Sequence, residues 1–332
     1  MPLSNPSQAT NSNTSKTDNS NTLLDQASLT ITNSNLNTRL TIKQQKKVAL
    51  LGLNGAGKST FIRNLIGESN NLDLELLYQT NNSIKNDHPL SLKPDELKFK
   101  KLMGYQADTM LSMGHLSAGE YLHLCAGFKQ VSSAEYNKIV QQIISDWSLE
   151  KLLHQSLQSL SKGNMQKMAI AQVFINNPQF LFFDEPCQSL DPIEQERFNN
   201  NIKELIDFSL CLFSTHNVNH ALTVADDILL IHQSKIAYFY QEKSQKNYLL
   251  FSFENKEKIS KILSRSDIEY EYLGSNLYKI TGSDIIDEFV KENHSSFEFC
   301  LPEKEALMPL FRLLASNEWQ PSDLAIDQAG EL

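Results

Sequence analysis

The apolar positions of the chain follow two rhythms that divide it into strands and helices. Val48-Ala49-Leu50-Leu51 and Phe180-Leu181-Phe182-Phe183 are continuously apolar over a strand's length, the pattern of parallel strands buried on both faces. Further strands are expected at Leu72 to Tyr78, Leu102 to Gln106, Leu210 to Phe213, Ile228 to Ile231 and Lys235 to Tyr240. Between Leu23 and Ile42, the apolar residues Leu29, Ile31, Leu36, Leu40 and Ile42 predict short antiparallel strands. Helical spacing marks the segment after Ser59, where Phe61, Leu65 and Ile66 share a face. It also marks Ser117 to Phe128 and Ser133 to Trp147, the latter with Ile139, Ile143, Ile144 and Trp147 in register. A helix over Gly163 to Asn176 is closed by Asn177-Pro178, because proline disfavours helix in the residue before it. The polar stretch Asn81 to Pro94 reads as a loop. Strands alternating with helices imply an α/β fold, a parallel sheet with helices on its faces.

Beyond about Glu242 the pattern changes. Tyr248–Phe253 (strand), Lys256–Leu263 (helix), Tyr270–Leu273 and Leu277–Ile280 (strands), Ile285–Val290 (helix) and Phe297–Cys300 (strand) give βαββαβ, the order of a small ferredoxin-like α+β domain. Ala306 to Leu314 predicts one more helix. The expected organisation is therefore a disordered tail at 1–22, rich in Ser, Asn and Thr, a nucleotide-binding domain at 23–241, an accessory domain at 242–318 and a flexible tail at 319–332. No motif of the first domain lies beyond 243, so that domain is expected to fold without the rest.

Composition narrows the function classes. With 332 residues and a 40% hydrophobic content the chain has material for about two cored domains. A formal charge of −9 argues against nucleic acid as the main partner. No apolar run approaches the roughly 18 residues of a spanning helix, and no basic-then-apolar leader opens the chain. Cys125, Cys187, Cys211 and Cys300 are widely spaced, which suits a reducing compartment and no thiolate metal site. Asn13-Thr14-Ser15 matches a glycosylation pattern, an accident expected in so biased a tract.

Candidate chemistry begins where the first buried strand ends. Gly52-Leu53-Asn54-Gly55-Ala56-Gly57-Lys58-Ser59 fits G-x-x-x-x-G-K-[ST]. Glycines at those positions let backbone N–H groups turn inward as an anion-binding nest, and the following helix N-terminus adds positive potential. Gly52, Asn54, Gly55, Gly57, Lys58, Ser59 and Thr60 are the expected ligand contacts: Lys58 for the β- and γ-phosphates of a nucleoside triphosphate, Ser59 for Mg²⁺. Asp184, at the end of its apolar strand, suits a carboxylate that holds Mg²⁺, and Glu185 one that polarises the attacking water. His216, after the strand at 210–213, is placed to meet the γ-phosphate.

These motifs carry a resemblance. From about Leu23 to Tyr240 the chain is similar to the nucleotide-binding subunit of an ATP-binding cassette (ABC) transporter, on the order GLNGAGKST, LSKGN (160–164), FLFFDE (180–185), SLD (189–191) and His216. LSKGN resembles the LSGGQ signature that separates this family from other phosphate-loop ATPases. The resemblance implies an ATPase core with a parallel sheet, an antiparallel β subdomain and a helical signature subdomain. It implies ATP and Mg²⁺ as cofactors, a second ATP-binding subunit in an ATP-dependent homodimer, and integral membrane transporter subunits as partners. Localisation would be cytoplasmic, on the inner face of the membrane through those partners. Ser161 and Gly163 would meet the γ-phosphate bound by the other protomer. Lys162 and Asn164 depart from the commonest signature. Asp108 stands by register where the family has its Q-loop glutamine, with Gln106 two residues earlier, so either is the candidate for that role, Asp108 as a metal ligand. No aromatic residue precedes Phe61, so the adenine platform of the family, worth roughly 1–3 kcal/mol by analogy with other base-stacking sites, is missing. The end of the second domain is similar to tails on exporter cassettes. The alternative is a soluble, non-transport cassette ATPase acting on a macromolecular machine.

Overall fold

The computed structural model describes residues 26–33, 38–43, 46–68, 73–79, 90–108, 114–205, 210–241, 247–266, 268–281 and 286–318. The tails expected at 1–22 and 319–332, and the pattern at Asn13, lie outside these residues, as do the side chains of the earliest strands where an adenine platform was sought.

Three sheets organise the chain. β1 (Gln26–Asn33), β2 (Thr38–Lys43), β4 (Asp73–Gln79) and β5 (Leu90–Leu92) form an antiparallel sheet in the order β2-β1-β4-β5. β5 lies inside the stretch expected to be loop; its pairing with β4 supplies the order that three residues alone lack. The second sheet runs β10-β9-β3-β8-β7-β6, from β3 (Lys47–Leu51), β6 (Met103–Gln106), β7 (Phe180–Phe183), β8 (Leu210–Thr215), β9 (Asp227–His232) and β10 (Lys235–Gln241). All its pairs are parallel except β9 with β10.

Strand alternation splits this sheet's apolar residues between two cores. Val48, Leu50, Phe180, Phe182, Leu210 and Leu212 face one side with Phe61, Ile62 and Leu65 of α1 (Lys58–Leu65) and Phe99 of α2 (Leu97–Leu102). Ala49, Leu51, Leu181, Phe183, Cys211 and Phe213 face the other. There they meet α3 (Ala118–Phe128), α4 (Ser133–Trp147), α5 (Lys162–Ala171), α6 (Pro192–Leu205) and α7 (Val218–Val224). Both α3 and α4 start at capping boxes, Ser117 with Glu120 and Ser132 with Glu135, which satisfy the free N–H groups of the first turn. Three helices give weak signals in the sequence. α2 is a single six-residue element ahead of β6, where Leu102 was expected to open the strand. Among its described side chains α6 buries Phe198 and Ile202, and α7 has seven residues.

The third sheet is antiparallel, with order β12-β13-β11-β14. Its strands are β11 (Asn247–Phe251), β12 (Tyr270–Gly274), β13 (Leu277–Thr281) and β14 (Phe299–Pro302). With α8 (Lys256–Arg265) and α9 (Ile286–Asn293) between strands, order and topology are those of a ferredoxin-like fold. Leu250, Tyr278 and Ile280 pack on Ile259, Leu263, Ile286 and Phe289 of these helices.

The opposite face of that sheet does not close on itself. Leu249, Phe251 and Leu277 share a core with α10 (Glu303–Ala315), and through its Leu307, Leu310 and Leu314 with the large core that holds Ala221, Val224 and Tyr238. A buried polar contact seals the junction: the Tyr238 hydroxyl donates to Glu303 Oε1, which also accepts from Lys279 Nζ at 3.2 Å. Removing residues from 243 onward would therefore uncover α7 and β10. The expected outcome is that the whole described chain melts as one coupled unit. Leu310→Ala, a truncation of a fully buried leucine costing about 2–5 kcal/mol, should lower that single transition in calorimetry. Two transitions, only one of which moves, would show that the shared core does not couple the parts.

Candidate functional site

The site is assembled at the carboxyl ends of parallel strands, where loops leave the sheet. Gly52 follows β3 directly, and its N–H donates to the Thr215 carbonyl of the neighbouring β8 at 3.3 Å. A Cβ at Gly52 would stand 2.7 Å from the Ile231 carbonyl oxygen. Gly57 has φ of 97° and faces Ser234, whose Oγ would lie 2.2 Å from any Cβ there. Ser234 sits in the β9–β10 turn and its N–H donates to the Ala56 carbonyl at 2.7 Å, so this hairpin fixes the phosphate loop from beneath. α1 has no side-chain cap at Gly57, which leaves its first N–H groups for a ligand.

Lys58 is buried. Its Nζ donates to the carbonyls of Gly52 at 2.9 Å and Leu53 at 3.2 Å, and stands 3.1 Å from Glu185 Oε1. The other carboxylate oxygen of Glu185 is 3.1 Å from His216 Nδ1. Glu185 has φ of 47°, the left-handed region that side chains seldom occupy. Asp184, 1% exposed, accepts the Ser214 hydroxyl on Oδ1 at 2.7 Å, while its buried Oδ2 has no partner. The same Ser214 Oγ accepts the Glu185 N–H at 2.8 Å.

Asn54, Gly55, Gly57, Lys58, Ser59, Thr60, Asp108, Glu185 and Gln188 line a cavity of about 340 Å³. Eight of the sequence-expected residues thus share its wall: Asn54, Gly55, Gly57, Lys58, Ser59, Thr60, Asp108 and Glu185. Gly52 and Asp184 lie beneath it, and His216 reaches it through Glu185. Ser161 and Gly163 are not in its wall. Ser161 caps α5, accepting the Asn164 N–H at 3.2 Å, and is exposed at that helix's start. Of the two Q-loop candidates, Asp108 faces the cavity, whereas Gln106 is fully buried and its Nε2 donates to the carbonyls of Ala107 and Asp184. A second cavity of about 350 Å³, between α4 and the start of β7, holds none of these groups.

The donor set suits a hard cation shared with phosphate oxygens. Among the described residues no three His, Cys, Asp or Glu side chains are close enough to hold a metal by themselves. The orphaned Asp184 oxygen, with Asp108 close enough to feel its charge, instead suits Mg²⁺, an ion that takes one or two carboxylates and completes its shell with water and phosphate. The carboxyl of Asp108 is pushed up from its ordinary value, first by desolvation and then by the charges of Asp184 and Glu185, with Arg63 opposing. Ser214, Ser234, Gln188 and Gln166 had escaped the sequence reading. Ser214 alone had a signal, a hydroxyl in the otherwise apolar run Leu210 to Phe213 and Ser214.

With this geometry in place, comparison with known proteins is direct. Residues 36–188 match the family model described as ABC transporter. The chain is 27% identical over 241 residues to an uncharacterized ABC transporter ATP-binding protein, YxlF, of Bacillus subtilis, covering 72% of this chain and 76% of that protein. It is 27% identical over 232 residues to the molybdenum import ATP-binding protein ModC of Mannheimia succiniciproducens, covering 65% of this chain and 63% of ModC. A dimeric ATP-binding cassette in a post-hydrolysis state bound to ADP and Pi superposes with a TM-score of 0.53 at 24% identity, covering 66% of this chain and 99% of that one. Over residues 36–188, which hold the phosphate loop and the strand-end acids, the chain is thus similar to ABC transporter ATP-binding proteins. No described helix is long and apolar enough to cross a membrane.

The raised Asp108 carboxyl has a measurable consequence. A carboxylate whose folded pKa exceeds its unfolded one destabilises the fold once ionised, and the penalty disappears as pH falls below both values. Asp108→Asn should therefore raise the melting temperature of the nucleotide-free protein at pH 7.5 by a small increment, and leave it unchanged near pH 3, where the carboxyl is already neutral. A melting temperature lowered at pH 7.5 would overturn the assigned repulsion.

Proposed function

We propose that this cassette hydrolyses ATP as a head-to-tail homodimer and so powers substrate movement through separate integral membrane subunits, to which it binds on the cytoplasmic face. The observation that carries the reading is the division of the chemistry. Lys58, Glu185 and His216 converge on one cavity, while an exposed Ser161 and a half-buried Gly163 start a helix outside it, where they could close the cavity of a second copy. The dimeric cassette described above supports the same arrangement.

In this reading the phosphate loop and α1 N-terminus bind the β- and γ-phosphates, and Lys58 exchanges Glu185 for them. Ser59 and Asp184, with Asp108 at the rim, would hold Mg²⁺. That ion supplies neutralisation of phosphate charge. Glu185, released from Lys58, accepts a proton from the attacking water as general base, and His216 keeps the carboxylate turned toward the γ-phosphate. A relative named as a molybdenum import ATP-binding protein shares the cassette, so the direction of transport is assigned to the membrane subunits. Cargo is selected in the membrane subunits.

The assigned roles separate binding from turnover. Lys58→Ala should weaken ATP binding roughly 10- to 100-fold, the equivalent of charge-assisted hydrogen bonds of about 1.5–3 kcal/mol. Glu185→Gln should keep binding and lose roughly 10²–10⁴ in rate. The Glu185→Gln protein should accumulate as an ATP-dependent dimer, and adding Ser161→Arg should abolish it. Phosphate release and sizing chromatography with and without Mg-ATP check both. Near-normal hydrolysis by Glu185→Gln would sink the general base, and dimerisation indifferent to ATP and to Ser161 would sink the sandwich.

A further inference from the structure

Glu185 is held in an unfavourable backbone conformation, and the group that holds it comes from the signature helix. Pro186 bars Glu185 from the right-handed helical region, and the residue sits at φ of 47°. Such a turn persists only when its surroundings over-determine it. From the amino side, the Glu185 N–H is fixed by Ser214 Oγ at 2.8 Å. From the carboxyl side, Gln166 of α5 donates its Nε2 to the Pro186 carbonyl at 2.9 Å and approaches the Glu185 carbonyl at 3.5 Å. Two carbonyl oxygens around one amide fix its orientation, since the flipped amide would set oxygen against oxygen.

We propose that Gln166 is a positioning residue for ATP hydrolysis: its amide pins the Glu185-Pro186 turn so that the Glu185 carboxylate stays between Lys58 and His216. The proposal rests on the reading of Glu185 as general base. Gln166 itself is absent from the cavity wall and touches neither phosphate-loop nor His216 side chains in any described contact. Its loss should therefore leave ATP binding intact and misplace only the carboxylate. A displacement of about 1 Å at a reacting group costs up to roughly 10²-fold in rate.

The test uses the full chain and three variants. Gln166→Met keeps length and volume but removes the donor. It should lower kcat about 10- to 100-fold, with KM and ATP affinity changed less than about threefold, the split expected when only transition-state positioning is lost. Gln166→Glu, which sets an acceptor against two carbonyls, should lose at least as much. Added to Glu185→Gln, Gln166→Met should cost nothing further, because the group it positions is already disabled. A Gln166→Met enzyme within about twofold of the parent kcat beside an inactive Glu185→Gln overturns this proposal alone. So does a fall in ATP affinity as large as the fall in rate, which marks a general support of the fold. An active Glu185→Gln overturns instead the reading on which the proposal rests.

Discussion

Register between three parallel strands is the constraint on which the site depends. Leu51 of β3 pairs with Thr215 of β8, and Phe183 of β7 pairs with Phe213 of the same strand. One residue further along each strand the chain delivers Gly52, Asp184 and, on β8, Ser214 and then His216. A slip of one residue in either pair would turn every apolar side chain of that strand to the wrong core. The burial that stabilises the sheet therefore also fixes the chemistry, because Phe180 and Phe182 feed one core while Leu181 and Phe183 feed the other. Each such buried side chain is worth about 1.5–3 kcal/mol, so a misregistered strand forfeits many times what any single contact in the site contributes.

On that rigid edge the ligand-free site stores unfavourable features that a nucleotide relieves. Asp108 and Glu185 line the cavity close to the buried Asp184, whose Oδ2 has no partner, and Lys58 answers two backbone carbonyls and Glu185 together. Buried unpaired acceptors and like charges are costly. A divalent cation with phosphate oxygens would remove both costs at once, satisfying the acid oxygens and leaving Lys58 to the phosphates. In the proposed mechanism the binding energy and the release of the base would thus be two sides of one exchange.

How much of this was legible in the sequence follows the range of each interaction. Phosphate loop, strand-end acids and signature are local runs, so GLNGAGKST and FLFFDE could be read from order and spacing, and the βαββαβ order of the last domain from alternation. Residues that act across the fold left little trace. Ser234 supports Gly57 from a turn 177 positions away in the chain, a closeness that only the pairing of β9 with β3 creates. Gln166 looks like one polar residue on a helix, and among the described side chains of α6 the buried apolar ones are Phe198 and Ile202. The separation of Gln106 from Asp108 likewise depends on the fold: Gln106 ends β6 and turns under Asp184, while Asp108, two residues on, lines the cavity.

The helix α5 would join what the two halves of the proposed dimer each require. Its first turn presents Ser161, its second carries Gln166 to the turn of Glu185, and the next residue, Lys167, is anchored to Glu194 of α6 at 3.0 Å. An α-helix of this length moves as a body, since displacing one end alone would break its internal hydrogen bonds. Whatever seats Ser161 against a partner's phosphate therefore bears on the backbone of Glu185 in its own protomer. In the proposed dimer, a partner docked on one cavity and a base aligned in the other would become a single mechanical event, carried by one helix and one amide.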